Sequence, residues 1–170
     1  MSFKFVFKLM LFSFLITGSI SCGKDRLSGD MVVDDALLQQ LNSQSVDTLK
    51  FDNQKLILET YLFRDFFPGV VPNKRRLFAS FNVINTDSLP ISGRLEIETL
   101  YIVNKDQIWV SNPVRDTRLP IPTYKAYRIS RDGPEWETGI YVDAIVSVKD
   151  LQTSVVYYLA AREQLIERLD

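Results

Sequence analysis

The sequence predicts an all-β domain, an antiparallel β-sandwich of about seven strands. Three observations carry that expectation. From residue 51 onward, runs rich in Val, Ile, Tyr, Phe and Thr are separated by clusters of Pro, Gly, Asn and Asp, the texture of short strands and turns. Inside several runs, apolar residues recur at every second position, a spacing that puts them on one face of an extended chain. A length of 170 residues with 46% hydrophobic content suits one core.

The first 21 residues are set apart from that domain. Lys4 and Lys8 precede the apolar run Leu9-Met10-Leu11-Phe12-Ser13-Phe14-Leu15-Ile16, and no acid occurs among them. The run is far shorter than the roughly 20 residues that a membrane-spanning helix requires, and it ends in the small residues Gly18-Ser19-Ile20-Ser21. This is the pattern of a secretory signal peptide. The single cysteine of the chain, Cys22, follows directly.

The junction resembles the signal of bacterial lipoproteins, in which the cysteine after the cleavage site is lipidated and becomes the new N-terminus. Ser19 stands where that signal usually has leucine. Ser19-Ile20-Ser21 also satisfies an ordinary small-x-small cleavage site, which would leave Cys22 unmodified. The resemblance implies a membrane partner engaged through the N-terminal lipid, since two or more acyl chains at about 0.8 kcal/mol per buried CH₂ hold a protein stably. It also implies the cell envelope, and the outer membrane in particular, because Gly23 replaces the aspartate that commonly retains lipoproteins at the inner membrane. Lys24-Asp25 partly resembles the tag of surface-displayed lipoproteins of Bacteroidota, although Arg26 replaces its second acid.

Residues 22–50 are polar and acid-rich, with Asp25, Asp30, Asp34, Asp35 and Asp47, and are expected to form a tether ahead of a domain spanning 51–170. Within the tether, Asp34-Asp35-Ala36-Leu37-Leu38-Gln39-Gln40-Leu41 has the composition of a short helix with acids at its positive end.

Strands are expected near 54–66, 76–85, 93–104, 107–111, 123–130, 139–149 and 153–162. Between them lie Pro68-Gly69 through Asn73, Asp87-Ser88-Leu89-Pro90, Asn104-Lys105-Asp106, the three-proline stretch 112–122, Arg131-Asp132-Gly133-Pro134 and Asp150-Leu151-Gln152. In the sixth strand Ile140, Val142, Ala144, Val146 and Val148 share the core face, which sends Tyr141 and Asp143 outward, the latter towards a cation on a neighbouring strand. In the second, Leu77, Ala79, Phe81 and Val83 should point inward. In the third, the apolar phase shifts between Ile97 and Leu100, which requires a β-bulge near Glu98-Thr99. Residues 163–170 are open between strand and helix.

The stretch Asp132-Gly133-Pro134-Glu135-Trp136-Glu137-Thr138-Gly139-Ile140-Tyr141-Val142 resembles the approach to the sixth strand of immunoglobulin-like domains, where a tyrosine hydroxyl caps a corner. Here the core parity turns Tyr141 away, and no second cysteine exists for an inter-sheet disulfide. The wider likeness, over roughly residues 54–170, is to immunoglobulin-like sandwiches and to single-domain lipoproteins of Bacteroidota.

Residue types narrow the chemistry. With no histidine, the chain cannot build a Ser-His-Asp triad, a His-assisted thiol or a histidine zinc site, and lipidation of Cys22 would remove thiolate chemistry as well. Only 7 glycines are present, and they form no phosphate-binding loop, so no cofactor is expected. Cleavage of the signal takes Lys4 and Lys8 from the 20 cations and none from the 21 anions, leaving a formal charge of −3 and no basic excess for nucleic acid.

The remaining candidates are contact surfaces and carboxylates. Phe66-Phe67-Pro68-Gly69-Val70-Val71-Pro72 exposes apolar residues if it is a loop, and Lys74-Arg75-Arg76 follows, so Phe66, Phe67, Arg75 and Arg76 are candidate partner contacts. Capping of the domain by the two phenylalanines is the structural alternative. Trp136 is a further candidate contact, as a ligand platform; for it and for Trp109 the alternative is core packing. The three-proline loop is stiff enough to lose little entropy on binding, or simply protects an edge. Glu135 and Glu137, two residues apart, would share a face in an extended segment and could serve a small carboxylate-dependent hydrolase of glycans, or be solvated loop acids. Asp65 beside Arg64 reads as a surface ion pair or a turn residue. The leading expectation is a non-catalytic binding or structural module at the cell envelope, meeting an envelope protein or a glycan.

Overall fold

Alternation decides where this chain extends, and the computed structural model, which describes residues 29–71, 75–118 and 120–170, places strands over all seven expected runs. The signal segment and Cys22 lie outside the described residues. In chain order the elements are β1 (Asp30–Val32), α1 (Asp35–Gln44), β2 (Ser45–Val46), β3 (Leu49–Phe51), β4 (Gln54–Asp65), β5 (Phe78–Asn85), β6 (Leu95–Asn104), β7 (Gln107–Ser111), β8 (Lys125–Ser130), β9 (Tyr141–Asp150) and β10 (Val156–Leu169).

The strands form one curled sheet in the order β1-β7-β6-β9-β10-β4-β5-β8, with β2 added beside β10 and β3 beside β4. The expectation of a purely antiparallel arrangement is corrected: β10 runs parallel to β4 and to β2, so the sheet is mixed. The cause lies in the length of β10. Its first part pairs antiparallel with β9, and its last four residues, Ile166 to Leu169, pair with Leu62 to Asp65 of β4. The segment 163–170, open in the sequence, is strand to Leu169.

The concave face holds the main core, in which Leu56, Leu58 and Leu62 of β4 meet Leu100 and Ile102 of β6, Trp109 of β7 and Val142, Ala144, Val146 and Val148 of β9. Leu77, Ala79, Phe81 and Val83 join them, as their parity requires. Trp109 is fully buried, and two glycines make room for it. A Cβ at Gly29 would come within 2.3 Å of the indole Nε1, and one at Gly133 within 3.0 Å of the ring. The phase shift in β6 is a bulge: its register against β9 jumps between Ile97 and Thr99.

The tether expected over residues 22–50 is corrected for its described part. Asp34 caps α1, its Oδ1 accepting from Leu37 N–H at 3.0 Å, and β1 pairs with β7. Leu41 of α1 is fully buried against Val103, Ile108, Ile145 and Ala160 on the convex face, with Leu37 and Leu38 beside it. Few and widely spaced apolar residues made the segment look solvated, yet three leucines at helical spacing suffice to cover one patch of sheet. This second layer also explains why Ile145, on the outward parity of β9, is as buried as Val146.

At the end of the fold where β9 turns into β10, Asp150 is nearly inaccessible and accepts from Arg94 Nε at 3.2 Å, Arg94 Nη2 at 2.7 Å, Thr153 Oγ1 at 2.7 Å and Gln152 N–H at 3.0 Å. Arg94 also reaches Asp52 at 3.4 Å and lies over the Phe51 ring at 5.0 Å, so one guanidinium joins the β3–β4 turn, the start of β6 and the β9–β10 turn. The Arg94 hydrogen bond holds the Asp150 carboxyl down at about 2, against the upward push of burial and with help from Thr153 and Gln152.

Two outcomes follow. Leu41→Ala should cost about 2–5 kcal/mol in chemical denaturation, the range for a buried leucine, whereas Tyr141→Ser, at a side chain 66% exposed, should change stability by no more than about 0.5 kcal/mol. Because the folded carboxyl of Asp150 titrates below its ordinary 3.8, its stabilisation is complete above that value and is lost as pH falls through about 2. Asp150→Asn should therefore lower the melting temperature at pH 7 and flatten the acid limb of the stability curve. Part of that slope should persist, since Asp116, held to about 2 chiefly by the Arg118 hydrogen bond, titrates in the same window.

Candidate functional site

Leu62 points into the core, and by alternation Arg64 emerges two residues later on the same side, at the rim. Its guanidinium meets main-chain carbonyls instead of an acid: Nε donates to Arg75 O at 2.7 Å, and Nη1 to Trp136 O at 2.6 Å and Glu135 O at 3.1 Å. Arg64 thereby ties Arg75, just ahead of β5, to the 131–140 segment ahead of β9. Asp65 does not pair with it; its Oδ1 accepts from Phe67 N–H at 2.9 Å, which makes it a turn residue.

Phe66 follows, anchored by its N–H to Leu169 O at 2.7 Å. Three guanidinium groups surround its ring, with Arg168 at 4.1 Å, Arg64 at 5.1 Å and Arg75 at 5.4 Å from the centroid. The expected contact residues thus separate into two groups. Phe66, Arg75 and Trp136 are half-buried and hold the end of the domain together, with Trp136 packed on the core and donating through Nε1 to Gln107 Oε1 at 2.8 Å. Phe67, 48% exposed, and Arg76, which stands 3.9 Å from Glu135, remain open to solvent. Trp109 is core.

Beside this end lies a cleft of about 410 Å³. Its floor is Phe63, Leu77 and Phe78, and its rim carries Arg76 and Arg131 together with Asp65 and Asp132. The floor continues a ladder of rings across β4 and β5: Tyr61 to Phe63 at 5.3 Å, then Phe63 to Phe78 at 4.8 Å, with Arg131 over Phe78 at 5.4 Å. Phe63 and Phe78 were not singled out by the sequence, although the signal was present. Tyr61, Phe63 and Phe78 all have the outward parity of their strands, so alternation alone groups these rings on one face.

The arrangement suits recognition by contact. Rings offer an apolar face, and guanidinium and carboxylate groups on one rim offer donors and acceptors in fixed directions. Glu135 and Glu137 are both exposed, and neither lines this cleft. Among the described residues, no three His, Cys, Asp or Glu side chains are grouped to hold a metal ion.

Replacing Arg64 tests how this end is built. Arg64→Ala should loosen both loops, seen as faster amide exchange at residues 75–77 and 133–139 and easier proteolysis there, with β6–β7 unaffected. Arg64→Lys should restore little, because a single ammonium group lacks the fork that reaches three carbonyls.

No protein-family model matches this chain, no curated protein matches its sequence, and no solved structure matches its fold.

Proposed function

We propose that this chain is a bacterial lipoprotein, anchored through Cys22 at the outer membrane, whose β domain is a non-catalytic binding module meeting an envelope protein or glycan through the Phe63–Phe78 cleft. The anchor rests on the signal-like residues 1–21 and on a lone cysteine at the junction that follows them. The binding role is carried by one observation: an open cleft with an aromatic floor and a rim of two arginines and two aspartates. Such a surface selects a ligand by stacking and directed hydrogen bonds.

The finer reading of the fold is immunoglobulin-like. Strand order supports it: β8-β5-β4 on one side and β7-β6-β9-β10 on the other, joined where β10 runs parallel to β4. Two such groups packed face to face are what an immunoglobulin-like sandwich would require, and the order supports that reading. Tyr141, 66% exposed, takes no part in a tyrosine corner.

Two measurements test the proposal. Cys22→Ser should release the protein from the membrane fraction, and unchanged association would contradict the anchor. Retention of the purified protein on isolated envelope material should fall when Phe78 or Arg131 is replaced by Ala, with the melting temperature of the Arg131 variant within a few degrees of the parent; equal retention would contradict the role of the cleft.

A further inference from the structure

Arg115, Ile121 and Pro122 of the three-proline stretch help to build a second cleft that shares no lining residue with the first. It encloses about 350 Å³ between Arg115, the outer side of β8 and the segment Pro90-Ile91. Its walls are fixed from several directions. Ile91 N–H donates to Thr123 O at 3.0 Å, Gln54 Nε2 to Pro90 O at 2.7 Å, and Ser92 N–H to Gln54 Oε1 at 3.0 Å. Val114 exchanges both of its backbone bonds with Ile129, each at 2.9 Å. A cleft held this way has little order left to gain when a ligand enters.

Its charge is one-sided. Arg115, Lys125 and Arg128 line it, and no acid does. Arg128 is half-buried and donates through Nη1 to Tyr127 O at 2.9 Å, a neutral partner. Burial first, and then the charge of Arg115, lower its proton affinity, with Glu96 opposing them. Arg115 and Arg128 line the same cleft, and an anion bound between two guanidinium groups offsets their mutual repulsion.

The strand edge narrows what that anion belongs to. The main chain of Ile129 is taken by Val114, Tyr127 O by Arg128, and Lys125 N–H by Pro122 O at 2.9 Å. Little backbone remains for an added peptide strand to pair with. What the cleft offers is three cations and the apolar surfaces of Ile91, Ile121 and Pro122. A ring with one apolar face and an equatorial carboxylate fits that offer.

We propose that the cleft bounded by Arg115, Lys125 and Arg128 binds a uronic acid unit of an acidic glycan, its carboxylate held between Arg115 and Arg128. This site stands independently of the aromatic cleft. The test is titration calorimetry of the full chain in detergent with trigalacturonate, its methyl ester and triglutamate. Trigalacturonate should bind and the ester should not, because esterification removes the charge and leaves the ring. Arg115→Gln, at an exposed position, and Arg128→Gln should each weaken binding by about tenfold, with the Arg115 variant melting like the parent, and 0.5 M salt should weaken binding in the parent by about the same factor. Absence of binding, equal binding by the ester, or an unchanged affinity in Arg115→Gln would overturn the proposal. Triglutamate binding as tightly as trigalacturonate would overturn the assignment to a sugar.

Discussion

A single strand, β10, belongs to both halves of the curled sheet, and the rest of the structure depends on the bend that allows it. Between Ala161, opposite Ala144, and Gln164, opposite Val142, two residues of β10 face one of β9. The extra residue puts Glu163 at φ 53, a left-handed conformation that an L side chain adopts at a cost. Asp143 offsets that cost from both sides. Its Oδ2 accepts from Arg162 Nη1 at 2.9 Å and its Oδ1 from Glu163 N–H at 2.9 Å, while a second nitrogen of Arg162 is bonded to Ser45 Oγ. Beyond the bulge the strand changes direction, and Ile166 enters the core beside Leu62 of β4. Without the bend β10 would stay on β9, and β4, β5 and β8 would meet the other strands by side-chain packing alone.

The two ends of the fold use arginine differently, and the difference follows from what each guanidinium faces. Arg94 is paired with a buried carboxylate, so that end gains a charge-assisted lock that weakens in acid. Arg64 gathers carbonyl groups, which do not titrate, so the loops that frame the aromatic cleft keep their geometry across the same range. The loops beside the aromatic cleft are thus held by a tie that contains no carboxylate. The convex face has its cover in α1, while the Tyr61–Phe63–Phe78 ladder lies on the other half of the sheet.

Much of the β framework was legible because alternation is a local signal. The bulge near Glu98 was readable from a shift in apolar phase, and the outward turn of Asp143 towards a cation was readable from its place between Val142 and Ala144. The mixed sheet was not, since the parallel pairing of β10 with β4 joins residues some hundred positions apart. Nor was the burial of Ile145, which depends on a helix whose own apolar stripe is only three leucines long. At the site, the sequence pointed to Phe66, Arg75 and Trp136 for composition alone. Alternation did carry the outward parity of Phe63 and Phe78, but nothing local showed that Arg64 would bond to the main chain of Arg75 and Trp136, or that Arg131 would come to lie over Phe78.

The bulge clamped by Asp143 should make the two halves of the sheet one cooperative unit. Native-state hydrogen exchange, followed residue by residue with increasing denaturant, tests it most directly. Core amides of β5 and of β6 should share one opening free energy, and Asp143→Ala should lower both by the same amount. Separate opening free energies for the two halves, or a loss confined to β9 and β10 in the variant, would contradict it.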